Sequence, residues 1–288
     1  MSIGSNKIGA PLLVGAGFLL LYRHVLAKLV SDWWTDDNYS HGFFIIPIAA
    51  YLAWERRDRF FAAVQRPTIV GLLVLIGSVL VLAAGVLGSE LFLTRISLLG
   101  ATVGIVLFLF GWARLRVLAF PMAFLILMIP LPAIIFNQIT LPLQLLASRF
   151  GEAALGAADI PVLREGNILI LASTTLEVAE ACSGIRSLVS LLTLGIVFGY
   201  FSDSRVWVRS LIALSSIPVA VIANGARVAG TGIASDYVGP AAAEGFFHEF
   251  SGWMVFVAAF AMMIIIQRAV LLVSPRPHAS SGPAVRAA

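Results

Sequence analysis

Apolar residues fill most of this chain in blocks long enough to cross a membrane, and the polar residues fall between the blocks. A transmembrane helix needs about 20 predominantly apolar residues. Stretches near 9–29, 42–54, 69–88, 91–111, 117–136, 185–201, 208–227 and 252–273 meet or approach that length. The pattern predicts an all-α polytopic membrane protein, a bundle of about eight transmembrane helices. The second stretch reaches span length only with flanking residues such as Tyr39-Ser40-His41 or Glu55-Arg56. The first carries Arg23, His24 and Lys28, so it must face protein or end early. The segment 137–184 departs from the short-loop pattern. Its first part sets Ile139, Leu143, Leu146 and Phe150 at helical spacing, which reads as an external amphipathic helix lying in the interface. Beyond it, Ile160 to Leu163 and Ile168 to Leu171 flank Arg164-Glu165-Gly166-Asn167, a turn-forming tetrad that predicts a small β-hairpin. Residues 275–288 read as a disordered cytoplasmic tail. The remainder, 1–274, is expected to be a single membrane domain. No small-residue cleavage site follows the first block, so a signal peptide is not expected.

Composition sharpens the exclusion. Of 288 residues 60% are hydrophobic and 12% charged, about half the charged share of a soluble domain. An ordinary cytosolic enzyme would have no polar surface to wear, and a disordered protein would be far more polar. With one cysteine, a disulfide-rich secreted domain is excluded as well. The net charge of +4 would invite a nucleic-acid partner in a soluble chain, but here the position of each charge matters more, and no nucleic acid is expected. Numbering the blocks places the loops alternately on two sides. One side collects Lys7, Arg56, Arg57, Arg59, Arg66, Arg114, Arg116, Arg205, Arg209, Arg268, Arg276 and Arg286. The other keeps only Arg149 and Arg164 clear of the blocks. The positive-inside rule then puts both termini in the cytoplasm of a multi-pass inner-membrane protein, with the lipid bilayer as its constant partner.

The candidate chemistry lies on the opposite, outer side. Cys182 sits in Glu180-Ala181-Cys182-Ser183-Gly184-Ile185-Arg186, where the external segment turns into the sixth block. A thiol at a helix start feels unpaired N–H groups and the positive dipole end, and Arg186 adds a cation one turn on; all of these favour the thiolate. A lone membrane cysteine is ordinarily a small buried hydrophobe, but neighbours such as Ser, Gly and Arg at an interface favour reactivity. Arg227 stands near the outer end of the seventh block, where the positive-inside rule does not call for an anchor, and Asn224 lies on the same helical face to orient it. Pro218 is expected to kink that helix. His248 opens the eighth block and His41 precedes the second, both outside. Gly252, four residues after His248, leaves room for a neighbour to approach. A cysteine, a histidine and an arginine on one face suit acyl transfer: thiolate attack on a peptide carbonyl, protonation of the leaving amine by His248, and oxyanion stabilisation by Arg227. Metal binding by His41, His248 and Cys182 is a weaker alternative, because no short-range ligand pair supports it; neither a metal nor any other cofactor is expected.

At these residues the sequence resembles the exosortase/archaeosortase family. The matches are Glu180-Ala181-Cys182-Ser183-Gly184-Ile185-Arg186-Ser187, the Asn224 to Arg227 block, His248 followed by Ser251-Gly252, and Tyr39-Ser40-His41-Gly42 with Pro47. The resemblance implies a membrane cysteine protease-transpeptidase that handles C-terminal sorting signals of the PEP-CTERM type, with Cys182 as nucleophile and Arg227 and His248 completing the site. Arg186, Asn224 and His41 would support it. The implied partners are substrate proteins carrying a short motif such as Pro-Glu-Pro, one transmembrane helix and a basic cluster, together with an acceptor of unknown kind. Members of that family often accompany exopolysaccharide gene sets, and the resemblance implies such a setting here. Arg164 is the guess for pairing with the motif's glutamate. The alternatives to a peptidase are a transporter, which would need ionisable residues at the midplane, and an export-complex subunit without activity.

Overall fold

The computed structural model describes residues 6–172, 174–178, 185–239 and 245–274, with the backbone alone at 6–8, 10–11 and 245–249. Among the described residues six helices are long and apolar enough to cross a membrane, or seven if one bent helix pair counts as a span. The chain divides into two compact units, residues 1–136 and 137–288.

The first unit holds α1 (Asn6–Thr35), α2 (Gly42–Glu55), α3 (Arg57–Ala62), α4 (Ile69–Leu87), α5 (Leu91–Phe110) and α6 (Trp112–Phe124). Its tightest pair is α4 with α5, and small residues explain why. Gly71, Ser78 and Gly85 recur at seven-residue intervals as buried positions of α4, one face of a helix. A methyl group on Gly71 would lie 2.1 Å from the Phe108 backbone nitrogen. Backbones that close gain dispersion contacts that lipid tails cannot supply, the usual means of joining helices in a bilayer. Gly111 ends α5 at φ 83°, and its carbonyl-side neighbour in space, the Arg66 oxygen, would stand 1.9 Å from any Cβ there. Only glycine accepts both conditions.

One expected span is as short as its apolar stretch suggested, and another is broken. α2 has 14 residues, about 21 Å of helix, against a hydrocarbon core of about 30 Å. The block 117–136 breaks: α6 ends at Phe124, a 3₁₀ turn covers Leu125–Met128, and Pro130 and Pro132 follow. Proline removes a donor and keeps the preceding residue out of helical conformation. The two short helices lie side by side and are tied at both ends. His41 Nε2 meets the Leu127 carbonyl at 3.1 Å, and Arg56 Nη1 donates to the Val117 carbonyl at 2.9 Å.

The second unit holds most of α7 (Ala133–Ala157), then β1 (Val162–Glu165), β2 (Ile168–Leu171), β3 (Thr175–Glu177), α8 (Ile185–Ser202), α9 (Val206–Val238) and α10 (Gly245–Val273). The expected hairpin forms, with Arg164 opposite Leu169 and Glu165 opposite Ile168. A third strand, β3, pairs antiparallel with β2. α7 occupies the place of the expected amphipathic helix, and its buried positions are mostly small residues, Thr140, Ala147, Ser148 and Gly151, with the larger Leu155 at the sheet. The stripe Ile139, Leu146 and Phe150 is exposed. Leu155, Leu169, Leu171, Leu176, Val178 and Val228 close one core between sheet, α7 and α9. Leu191, Ile212, Ala220 and Met263 belong to another among α8, α9 and α10. At the far end of these helices Asp203 is fully enclosed. It accepts from Arg205, whose Nη2 also reaches the Ser274 carbonyl at 2.8 Å, so the α8–α9 turn is locked to the end of α10. The tail 275–288 lies outside the described residues.

Candidate functional site

α9 organises the site. It has 33 residues, about 50 Å, so Arg227 is not at its end as the hydropathy boundary at 227 implied; the helix runs on to Val238. It also continues through Pro218. Polar but small residues carry it past the apolar block: Thr231 and Ser235 are buried on the same face as Val228.

Three faces of α9 meet three different elements. Toward α7 it presents Gly225, whose missing Cβ leaves room for the Phe150 ring at about 3.1 Å, while Val228 fills the space beside Gly151. Toward α8 it presents Asn224, which is buried and lines a small cavity with Leu143, Ala220, Val221 and Leu188. Leu188 belongs to the first turn of α8, whose opening residue Ile185 is 2% exposed. Toward α10 it presents Arg227. A Cβ on Gly252 would sit 3.3 Å from Arg227 Cζ and Nη2 and 3.5 Å from Nη1. The guanidinium therefore lies on the bare backbone of α10, and its Nε is enclosed. Gly252 is the gap anticipated beside His248, and the neighbour that occupies it is Arg227. His248 precedes Gly252 by four residues in the same helix, hence one turn away on the same face; its side chain lies outside the described residues.

Cys182 lies outside the described residues as well, in 179–184. The chain enters that segment from Val178, which is 1% exposed and held by a 3.0 Å bond from its nitrogen to the Asn167 carbonyl, and leaves it at buried Ile185. Arg186 is exposed at the start of α8, where a cation faces the partial positive charge of the helix N-terminus.

The remaining candidates are engaged elsewhere. Arg164 donates from Nε to Glu152 Oε2 at 2.6 Å and from Nη1 to the Gly166 carbonyl at 3.2 Å. Ser148 reaches the same carbonyl at 2.9 Å, so the hairpin turn is docked on α7. Glu152 escapes a sequence reading because its distance of twelve residues from Arg164 matches no local spacing. His41 belongs to the first unit and caps the pairing of α2 with the chain at Leu127. Burial pushes its imidazole below the ordinary histidine pKa, and the Leu127 carbonyl opposes that in part. Among the described residues no group of three or more His, Cys, Asp or Glu is placed to hold a metal ion.

The arrangement is suited to stabilising negative charge. A half-buried guanidinium resting on a glycine backbone, with its Nε enclosed, offers a fixed positive charge to an anion. No curated protein and no solved structure matches the chain. The sequence does fit the family described as Transmembrane exosortase (Exosortase_EpsH), from residue 33 to residue 265. That stretch takes in parts of both compact units and every site residue named above, and on that breadth the chain belongs to the transmembrane exosortase family.

Proposed function

We propose that this exosortase cleaves C-terminal sorting signals of the PEP-CTERM type as a cysteine protease-transpeptidase. The Cys182 thiolate attacks the scissile carbonyl and Arg227 binds the oxyanion. His248 protonates the leaving amine, and the resulting thioester is resolved by water or by an amine acceptor. The observation that carries this reading is the seat of Arg227 on Gly252, one helical turn from His248, in a chain of this family. Asn224 adds support: from the neighbouring face of α9 it shares a cavity with the first turn of α8, the helix that follows the Cys182 segment.

The proposed site faces the periplasm, with both termini cytoplasmic in the inner membrane. This sidedness holds whether α2 and α6 both cross or neither does; their side-by-side pairing favours both crossing together, which puts Arg56, Arg57, Arg59 and Arg66 on the cytoplasmic side, and the bilayer thins locally to meet short helices. The guanidinium of Arg57 over Trp54 and that of Arg114 over Phe60 resemble the aromatic and basic belts of a cytoplasmic interface. A substrate whose basic cluster stays in the cytoplasm would present its motif outside, and a motif glutamate would displace Glu152 from Arg164. The link to exopolysaccharide rests on the family alone. Replacing Cys182 by Ala is expected to abolish processing of a co-expressed substrate while the protein still inserts. Normal processing by Cys182→Ala would refute the nucleophile. The mass of the processed C-terminus separates hydrolysis, a free carboxylate, from transfer, an added mass.

A further inference from the structure

A second polar centre lies wholly within the first unit, where α1 passes the start of α5. The Arg95 side chain is 5% exposed, and its Nη2 donates to Asp32 Oδ2. The other oxygen of Asp32 accepts from Lys28 Nζ at 2.7 Å. One carboxylate thus serves two cations, and the triad retains one positive charge. A guanidinium carries five N–H donors, yet the bond to Asp32 is the only hydrogen bond Arg95 makes among the described residues.

Arg95 also lines two cavities, which share Ser89, Glu90 and Leu91 and therefore adjoin. One, of ≈ 330 Å³, is polar, with Asp32, Asp36, Tyr39 and Glu90 in its wall. The other, of ≈ 340 Å³, is largely apolar, with Val25, Val86 and Leu91 in its wall and Lys28 and His24 beside them. Together they have the size of a small-molecule site. Glu90 stands where they join, exposed; its carboxylate makes no hydrogen bond or ion pair among the described residues and meets Arg95 only through longer-range attraction.

We propose that the two cavities form one lipid site, taking a phospholipid whose headgroup carries both a phosphate and a primary ammonium. The unused donors of Arg95, with Lys28, fit a phosphate. Glu90 fits the ammonium, and an acyl chain leaves along the apolar limb. Charge supports a zwitterion over either ion alone. Lys28 and Arg95 face Asp32, Asp36 and Glu90, so a purely anionic headgroup meets a wall with one excess negative charge, while a purely cationic one leaves the guanidinium fork unmatched. Position supports a lipid: Arg95 is four residues into a helix of membrane-spanning length that begins at Leu91, about 6 Å from its start, at the depth of a headgroup rather than of the midplane.

The test uses the full-length protein purified in detergent. Its melting temperature and native mass spectrum are followed on addition of phosphatidylethanolamine, phosphatidylcholine, phosphatidylglycerol, soluble phosphoethanolamine or inorganic phosphate. Phosphatidylethanolamine is expected to raise the melting temperature and to remain bound at one per chain. Phosphatidylglycerol, which lacks the cation, is expected to bind about tenfold more weakly, the loss of one charge-assisted contact. Glu90→Gln, at an exposed position, is expected to erase that preference. Arg95→Lys, which keeps the charge against Asp32 but not the fork, is expected to weaken both lipids alike. Equal shifts from all three lipids, or an unchanged preference in Glu90→Gln, would overturn the proposal. Full protection by inorganic phosphate or phosphoethanolamine would also overturn it, by assigning the site to a soluble phosphate.

Discussion

Gly252→Val tests the contact on which the proposed function rests. The Arg227 guanidinium lies where a side chain at 252 would be, 3.3 Å from an added Cβ at its nearest atoms. Comfortable contacts fall at about 3.5–4.0 Å, so Gly252→Ala moves the guanidinium by a few tenths of an ångström, which a long flexible side chain absorbs. Valine places two further carbons about 1.5 Å beyond that Cβ, so the guanidinium must move by about an ångström or more. A misplacement of about 1 Å near a reacting centre lowers the rate by about 100-fold, which sets the expectation for valine, with a loss below about tenfold for alanine. The assay is the rate at which a co-expressed substrate with a C-terminal sorting signal is converted to its shortened form, normalised to inserted enzyme. With purified components the loss should appear in kcat more than in KM, because the oxyanion forms only after binding. Unfolding is not a competing explanation for the alanine variant. Replacing a mid-helix glycine with alanine favours the helix by about 0.5–1 kcal/mol, so its melting temperature should not fall. If the valine variant processes substrate at the native rate, the position of Arg227 is not used in the reaction.

Other perturbations probe the frame. Gly71→Ala drives a methyl into the Phe108 backbone at 2.1 Å, where no rotamer offers relief; a loss of about 1–3 kcal/mol or more is expected in thermal melts, and a native melt would show that α4 and α5 do not pack this closely. Asp32→Asn leaves the Arg95 guanidinium buried without its counter-charge and should destabilise by about 3–5 kcal/mol. Lys28→Gln, at a side chain 50% exposed, should change stability by less than about 1 kcal/mol. Equal effects of the two would contradict the assignment of Asp32 to Arg95. Burial holds the His41 imidazole below its ordinary pKa, so the unfolded chain takes up its proton first as pH falls. The stability it contributes is present above about pH 6.5 and is lost as pH falls through its lowered folded value. Melting temperatures measured between neutral and mildly acid pH should fall more for the native chain than for His41→Gln; parallel curves would refute the claim.

Much of this architecture is legible in the order of residues. Long apolar runs separated by charge and the turn tetrad at Arg164 to Asn167 both follow from local chemistry. β3 was not legible, because Thr175-Leu176-Glu177 has a strand pattern too short to stand out before it pairs with β2. Nor was the buried face of α7. Periodicity marks Ile139, Leu143, Leu146 and Phe150 as the apolar stripe; Ile139 and Leu146 are exposed, Leu143 lines the Asn224 cavity and Phe150 reaches Gly225, while small residues such as Ala147, Ser148 and Gly151 are buried. The Asp32–Arg95 pair was hidden for another reason: the two residues are 63 positions apart, and only the packing of α1 on α5 joins them.

Sequence alone established that the chain lives in a membrane, since hydropathy is a property of composition and no soluble surface can be made from it. It also established which residue types are available for chemistry. Tertiary structure alone decided which helices reach span length, because Pro130, Pro132 and the 3₁₀ turn at Leu125–Met128 act through backbone geometry that hydropathy does not register. It decided too that Arg227 lies on Gly252 and Asn224 beside the first turn of α8. Those are contacts between helices, set by where small side chains let backbones approach, and a one-dimensional pattern carries the small residues without saying which neighbour will fill the space they leave.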